Sequence, residues 1–384
     1  MNTPIEQTDT EQQDGEALVS VIVPVYNAAR YLDQALASVE CQTYRNVEIL
    51  CINDGSTDGS LSILSKHAAN DPRIRIIDKE NGGYGSAMNR GIAEAHGEWI
   101  AILEPDDWIE PGMYADMLAL ADRHAAAEPP VDIIKTPYWV IVDADTPNER
   151  KLPCQYRGRI RPARQPFTIH DASHLLAHHP SIWSALYRKS FLDRWGIRFK
   201  EVPGAGWVDN PFLVETLCRA RAIVYLPQAY YCYRDDTPEK TAQMAQRDPL
   251  LPFERWNDMV DVLERLDVTD PAVWTPQTTR AFTYMGGIVE HTGVTADVRI
   301  QEAVHHMFDR MDPAVVFANP RISPAAKHAF AAYRGIEHPP ISRLSHIADL
   351  LREACYNVWN KGPRETLRMA QTYLKSYNAR SGRE

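Results

Sequence analysis

Between residues 18 and 112 the apolar positions alternate between strand-like runs and helix-like spacing. VSVIVPVY (19–26) is a continuous β-branched run, as expected for a strand buried on both faces. ARYLDQALASVECQ then puts Tyr31, Leu32, Ala35, Leu36 and Val39 on one helical face. VEILCIND (47–54) reads as a second strand, and STDGSLSILSKHAA opens a helix on capping residues. RIRIID (73–78) is a third strand, NGGYGSAMNRGIAEAHG a glycine-rich turn into a helix, and EWIAILE (98–104) a fourth strand. Strands recur about every 25 residues, the length of a βα unit with short loops. The pattern predicts an α/β sandwich with a mostly parallel sheet.

Beyond residue 112 the alternation loosens. A helix is predicted to about Ala127, VDIIKTPYWVIVD reads as one further strand, and PCQYRGRIRPARQP as a loop over the surface. SIWSALYRKSFLDRWG predicts a strand then a short helix, VPGAGWVDNPFLVETLCRA a glycine-rich loop entering a helix, and AIVYLPQAYYCYRDD a late strand. From about residue 245 the spacing is helical. The expected organisation is an acidic disordered tail (1–17), a catalytic α/β domain (18–240) and a helical C-terminal region (241–384).

Composition and charge narrow the classes. The net charge of −10 argues against a general nucleic-acid binder. No apolar run approaches the roughly 18 residues of a membrane span, and the acidic N-terminus lacks the basic start of a signal peptide. Six cysteines at irregular spacing suit a reduced, cytoplasmic protein. Residues 343–384 carry eight Lys/Arg against four Asp/Glu, a basic end on an acidic chain. That end predicts either peripheral contact with the inner face of a membrane or a packed helix with a solvated charged face.

The candidate chemistry lies at the strand ends, where open α/β sheets bind ligands. Strand one ends in Pro24-Val25-Tyr26-Asn27, strand two in Asn53-Asp54-Gly55-Ser56, and strand three runs on to Asn81-Gly82-Gly83. Strand four ends in Glu104-Pro105-Asp106-Asp107. Crowded carboxylates repel one another unless a cation or donors offset them. Mg²⁺ or Mn²⁺, bound by one or two carboxylates and a diphosphate, would do so. The alternative is a helix N-terminus whose acids favour its dipole.

The run PVYN, QTY, INDGSTD, NGG and EPDD resembles the N-terminal half of family 2 glycosyltransferases, over roughly residues 18–235. The resemblance implies a GT-A type fold and an inverting transfer from a nucleotide-diphospho-sugar, often a uridine one, with Mn²⁺ or Mg²⁺ as cofactor. It implies that Asp54 meets the uracil, Pro24 and Tyr26 the nucleoside, Asp106 the ribose and Asp107 the metal, with Asn81 in the same donor site. Asp209 in WVDNPF takes the place of the catalytic base, and Trp207 can pack a sugar ring. Tyr233 and Arg234 would sit near the diphosphate or the acceptor, a glycan or lipid-linked glycan. Glu104 stands where the family often has Asp, Met88 where many relatives have Arg, and Val208 where Glu is common.

Weaker patterns point elsewhere. GGYGSA superficially resembles a dinucleotide fingerprint but lacks the final glycine. His170, His174 and His178 share a helical face, the spacing of a zinc site or of an ordinary helix. A non-catalytic sugar-nucleotide binder or scaffold with the same fold is the main rival reading. A nucleotidyltransferase would need a basic phosphate loop after strand one, and PVYNAARY is not one.

Overall fold

Seven strands form the central sheet of the computed structural model, which describes residues 16–235, 248–292 and 297–371. They are β1 (Val19–Val25), β2 (Val47–Asp54), β3 (Ile74–Lys79), β4 (Trp99–Ile102), β6 (Ile133–Lys135), β9 (Ala185–Arg188) and β10 (Ile223–Tyr225), in the order β10-β6-β9-β4-β1-β2-β3. β1 is parallel to β2 and β4, β2 to β3, and β6 to β10, whereas β9 runs antiparallel to both neighbours. β1 is buried along its whole length, as its unbroken apolar run requires. The helices between the first strands are α1 (Leu32–Glu40), α2 (Ser60–Asn70) and α3 (Tyr84–Glu94), followed by α4 (Met113–Asp122), α5 (Lys189–Trp195) and α6 (Asp209–Arg219).

A second sheet of four strands, absent from the sequence reading, packs beside the first. It joins β5 (Trp108–Ile109), β11 (Tyr231–Asp235), β7 (Tyr138–Val142) and β8 (Arg150–Pro153). The segment 131–143, read as one strand, is therefore two. Thr136 donates its N–H to the Ser184 carbonyl, one step further along the β6–β9 register, and Pro137 has no N–H to continue the ladder. AIVYLPQAYYCYRDD likewise splits into β10 and β11, on different sheets, around Pro227. Residues 153–166, expected as a surface loop, are anchored by the fully buried Cys154 and Tyr156, and the Tyr156 hydroxyl donates to the Thr136 carbonyl at 3.0 Å. His170, His174 and His178 do not share a regular α-helix: two 3₁₀ turns, Ile169–Asp171 and Ser173–Leu176, carry the first two, and the His174 and His178 rings stack.

The rest is helical: α7 (Leu251–Arg265), α8 (Pro271–Thr292), α9 (Val298–Asp309), α10 (Pro313–Ala318), α11 (Pro324–Arg334) and α12 (Arg343–Lys361). α7 packs on α6, and α8 on both α7 and the 173–176 turn, so this region continues the core of the first domain. Of the expected tail, residues 1–15 lie outside the described residues. Glu16 and Ala17 are part of the fold, since their carbonyls accept from the Asn46 amide and the Tyr44 hydroxyl. All six cysteines are free. Among the described residues no helix is long and apolar enough to cross a membrane.

Candidate functional site

The carboxyl ends of β1, β2 and β4 meet the loops after β3 and before α6 around a cavity of about 540 Å³. Pro24, Tyr26, Asp54, Asn81 and Asp106 all line it. Hydroxyls and carboxylates of the DGSTDGS stretch (54–60) tie down the chain beside it. Ser56 Oγ and Ser60 Oγ accept the N–H groups of Asn27 and Ala28, Asp58 accepts that of Ala29, and Asn27 Oδ1 accepts that of Thr57. Asn27 itself sits at φ 50°, a left-handed conformation that asparagine tolerates. The loops after β1 and β2 are thereby stapled into one surface, which leaves Tyr26 53% exposed at its edge.

Asp54 organises the third wall. Its carboxylate accepts the Gly82 and Gly83 N–H groups, each at 2.9 Å, and Lys79 Nζ at 2.5 Å. Asn81 donates from its side-chain amide to the Asp54 carbonyl at 2.9 Å. Gly83 is required here: at φ 85°, a Cβ would lie 2.2 Å from the Val202 carbonyl oxygen. The NGG turn thus fixes the loop that leads to α6.

The EPDD turn carries the chain from the central sheet into β5 of the second sheet, which puts its carboxylates between the two sheets. Asp107 is buried. Its Oδ2 accepts the Tyr231 hydroxyl at 2.8 Å and its Oδ1 the Arg234 backbone N–H at 2.7 Å. The Tyr231 hydroxyl also accepts the Glu104 N–H, and the Glu104 carboxylate accepts the Tyr84 hydroxyl at 2.6 Å. Burial, opposed by Tyr84 but reinforced by the charges of Asp106 and Asp209, pushes the Glu104 carboxyl up to about 8. Burial and the neighbouring Asp106 charge raise Asp107 well above the usual carboxylate range.

A second cavity of about 230 Å³ opens from the first, sharing Tyr84, Glu104 and Asp106 with it, and adds Asp107, Trp183, Trp207, Asp209 and Tyr233. Trp183 stacks on Tyr231 and Tyr233, with ring centroids 4.0 and 5.3 Å apart, and makes a flat aromatic wall. Four carboxylates line this cavity and, among its described lining residues, no lysine or arginine. An anionic diphosphate entering it would need a cation. Asp106 and Asp107 supply oxygen donors of the kind Mn²⁺ and Mg²⁺ prefer. Among the described residues no group of three or more His, Cys, Asp or Glu side chains is placed to hold a metal. The fit is to one or two carboxylates completed by phosphate oxygens.

Asp209 is the first residue of α6 and lines both this cavity and a third, of about 510 Å³. Its Oδ1 accepts the Asn210 N–H at 3.0 Å and the Asn210 side-chain amide at 3.1 Å. Burial raises its carboxyl to about 6, against a lowering by the Arg280 charge. Trp207 beside it has φ 51°, an outlier for a bulky side chain, between the left-handed Gly206 and the α6 start. The third cavity also takes His179, Trp207 and Tyr233, and its far wall is Thr279, Arg280, Thr283 and Tyr284 of α8. Arg280 donates to the Leu176 and His178 carbonyls at 2.9 Å and to Asn210 Oδ1, tying the helical region to the base of α6.

Of the site residues picked from sequence, Pro24, Tyr26, Asp54, Asn81, Asp106, Asp107, Asp209, Trp207 and Tyr233 line this chain of cavities. Arg234 does not. Its guanidinium is buried behind the EPDD turn, where it donates to the Asp106 carbonyl, Asp145 and Gln34 and lies over the Tyr31 and Trp108 rings. It holds the turn and faces away from the groove. The sequence reading missed Tyr84, Trp183, His179 and Arg280. Tyr84, directly after NGG, was findable as the first residue of a helix at a strand end. Arg280 is 71 positions from Asp209 in an unremarkable helix, and no local pattern marks it.

Comparison with known proteins bears on this groove. The family model Glycosyl transferase family 2 matches residues 20–195 and stops short of Trp207 and Asp209. The Bacillus subtilis protein EpsH, whose glycosyltransferase name is provisional, is 32% identical over 226 residues, 56% of this chain and 60% of its own length. Chondroitin synthase of Pasteurella multocida is 43% identical over 94 residues, which are 24% of this chain and 10% of the synthase. The chain thus spans less than two thirds of EpsH and about a tenth of the synthase. Among solved structures, S. aureus TarS 1-349 in complex with UDP-GlcNAc superposes with a TM-score of 0.61 at 19% identity, covering 89% of this chain and 91% of that one, a likeness of fold. The family model and the fold agree: residues 20–195 match glycosyltransferase family 2, on a fold similar to that of TarS.

Proposed function

We propose that the protein is an inverting, metal-dependent glycosyltransferase that moves one sugar from a UDP-linked donor to a hydroxyl of a surface polysaccharide or lipid-linked glycan. The single observation that carries this reading is the continuous groove of three cavities with Asp209 at the junction of the last two. In this reading the nucleoside lies in the first cavity, with Tyr26 at its edge, Asp54 facing the base and Asp106 the ribose. The diphosphate and sugar occupy the second cavity, and the acceptor enters the third. The uridine preference draws support from TarS, whose structure holds UDP-GlcNAc.

The Asp209 carboxylate takes the proton of the acceptor hydroxyl as that oxygen attacks the anomeric carbon. The bond to the diphosphate breaks on the opposite face, and the nucleoside diphosphate leaves with the electron pair, so the anomeric configuration inverts. Asp106 and Asp107 would hold Mn²⁺ or Mg²⁺. A divalent ion there supplies charge stabilisation for the leaving diphosphate. Trp183 and Trp207 offer apolar faces to a sugar ring and help exclude water from the second cavity.

Calorimetry of UDP binding, with and without Mn²⁺, tests the donor half of this reading. Wild type is expected to bind only with the ion, and Asp107→Asn, which keeps size but loses the charge, to lose about tenfold or more in affinity, the scale of one to two charge-assisted contacts. Equal affinity with and without the ion would remove the metal from the account. Binding of UDP by wild type with no transfer to any acceptor, and no donor hydrolysis, would favour the scaffold reading.

A further inference from the structure

Helix α12 is amphipathic the wrong way round for a protein in water. Its polar residues face the body. Asp349 and Asn360 are buried, Asn360 donates to the Cys154 carbonyl, and the Tyr356 hydroxyl is shared between the Gln155 and Arg157 carbonyls. Glu353 pairs with Arg159 and Arg321. At 3.6 residues per turn these four fall on an arc of about 60°. The opposite arc, about 180° wide at the same pitch, carries Leu344, Ile347, Leu350, Leu351, Val358 and Trp359. They are 79, 49, 51, 61, 45 and 64% exposed. A surface helix ordinarily buries its apolar stripe and shows its charges. A contiguous apolar face of this kind marks an interaction surface.

The charges choose the occupant. Every acid of the described part of this segment is turned inward or held by an arginine. Asp349 pairs with Arg352, Glu353 with the arginines of the body, and Glu365 with Arg150. The exposed Arg343 lies on the outward arc, the exposed Arg352 flanks it, the half-buried Lys361 ends the helix, and the arc holds no acid. Residues beyond 371 lie outside the described part but add Lys375, Arg380 and Arg383 against Glu384 alone. A chain of net charge −10 therefore carries a basic stretch of sequence over and beyond the helix with this apolar stripe. A second copy of the chain would bring like charges together there. An anionic bilayer offers both an apolar layer and opposite charge.

We propose that the outward face of α12 docks the protein onto an anionic lipid surface, with Leu344, Ile347, Leu351 and Val358 entering the headgroup boundary and the flanking basic residues meeting lipid phosphate. This goes beyond the assigned chemistry and does not depend on it.

Sedimentation of the full chain with phosphatidylglycerol vesicles, against pure phosphatidylcholine vesicles, is the test. The protein is expected to co-sediment with the anionic vesicles, less so as salt is raised and only weakly with the neutral ones. Ile347→Glu/Leu351→Glu is expected to cut the binding by about tenfold or more, since two apolar anchors become charged. Leu344→Glu, at the most exposed position, is the variant least able to disturb folding, and unchanged thermal unfolding verifies that. The proposal is overturned by an absence of vesicle binding, by binding indifferent to these substitutions, or by a dimer in light scattering that Ile347→Glu/Leu351→Glu splits. UDP binding in the same preparation is independent of all three outcomes.

Discussion

At the scale of single residues, Asp209, the base in the proposed function, has the sharpest expected pH signature. Its carboxyl is held at about 6 because burial penalises the charge more than Arg280 and the Asn210 donors favour it. A general base must be ionised, so kcat/KM is expected to rise with pH through about 6 and then level. For stability the sign is opposite. A carboxyl whose folded pKa exceeds its unfolded value favours the native state most at low pH, and loses that contribution between the ordinary carboxylate range and about 6. The place of Asp209 at the start of α6 was legible, because an acid opening a helix after a glycine-rich loop is a local pattern. It misassigned Arg234, since an arginine beside a candidate site looks the same whether it points in or out. The contacts that turn it away come from Gln34 and Asp145, far off in the chain.

At the scale of elements, two close approaches position the groove. Gly85, in the first turn of α3, lies so near the 200–204 loop that a Cβ would be 2.1 Å from the Lys200 carbonyl oxygen. Gly85→Ala is expected to destabilise the fold by about 1–3 kcal/mol, the cost of overpacking, and to weaken nucleotide binding by displacing the Ala205 wall; chemical denaturation and UDP calorimetry would read the two effects. On the other side, α8 reaches the base of α6 through Arg280. Arg280→Met removes the charge that lowers the Asp209 carboxyl, so the acid limb of the rate profile is expected to move to higher pH. A shift of one unit costs about tenfold in rate below the limb and little above it. Arg280→Lys should hold the limb near its original place, and a limb unmoved in Arg280→Met would show that the two groups do not communicate. The first four strands were legible because each is a separate apolar run between turn residues. The second sheet was not: β6 with β7, and β10 with β11, are single runs by composition, and only the pairing of each half with a distant strand separates them.

For the whole molecule, the helical C-terminal region is not an appendage. The far wall of the third cavity is α8, so this region helps to build the groove as well as carrying α12. Helical spacing announced the helices, but not which face each would bury, and α12 buries the polar one. The account as a whole stands on sugar transfer by Asp209, and release of UDP measures that most directly. Nucleotide sugars are incubated with wild type and with Asp209→Asn in Mn²⁺, and UDP is quantified over time. Wild type is expected to release UDP from one or a few UDP-sugars. Asp209→Asn is expected to bind UDP as before and release it about 10²–10⁴-fold more slowly, the usual loss with a general base. Release at the wild-type rate by Asp209→Asn, with the fold intact, would contradict the account.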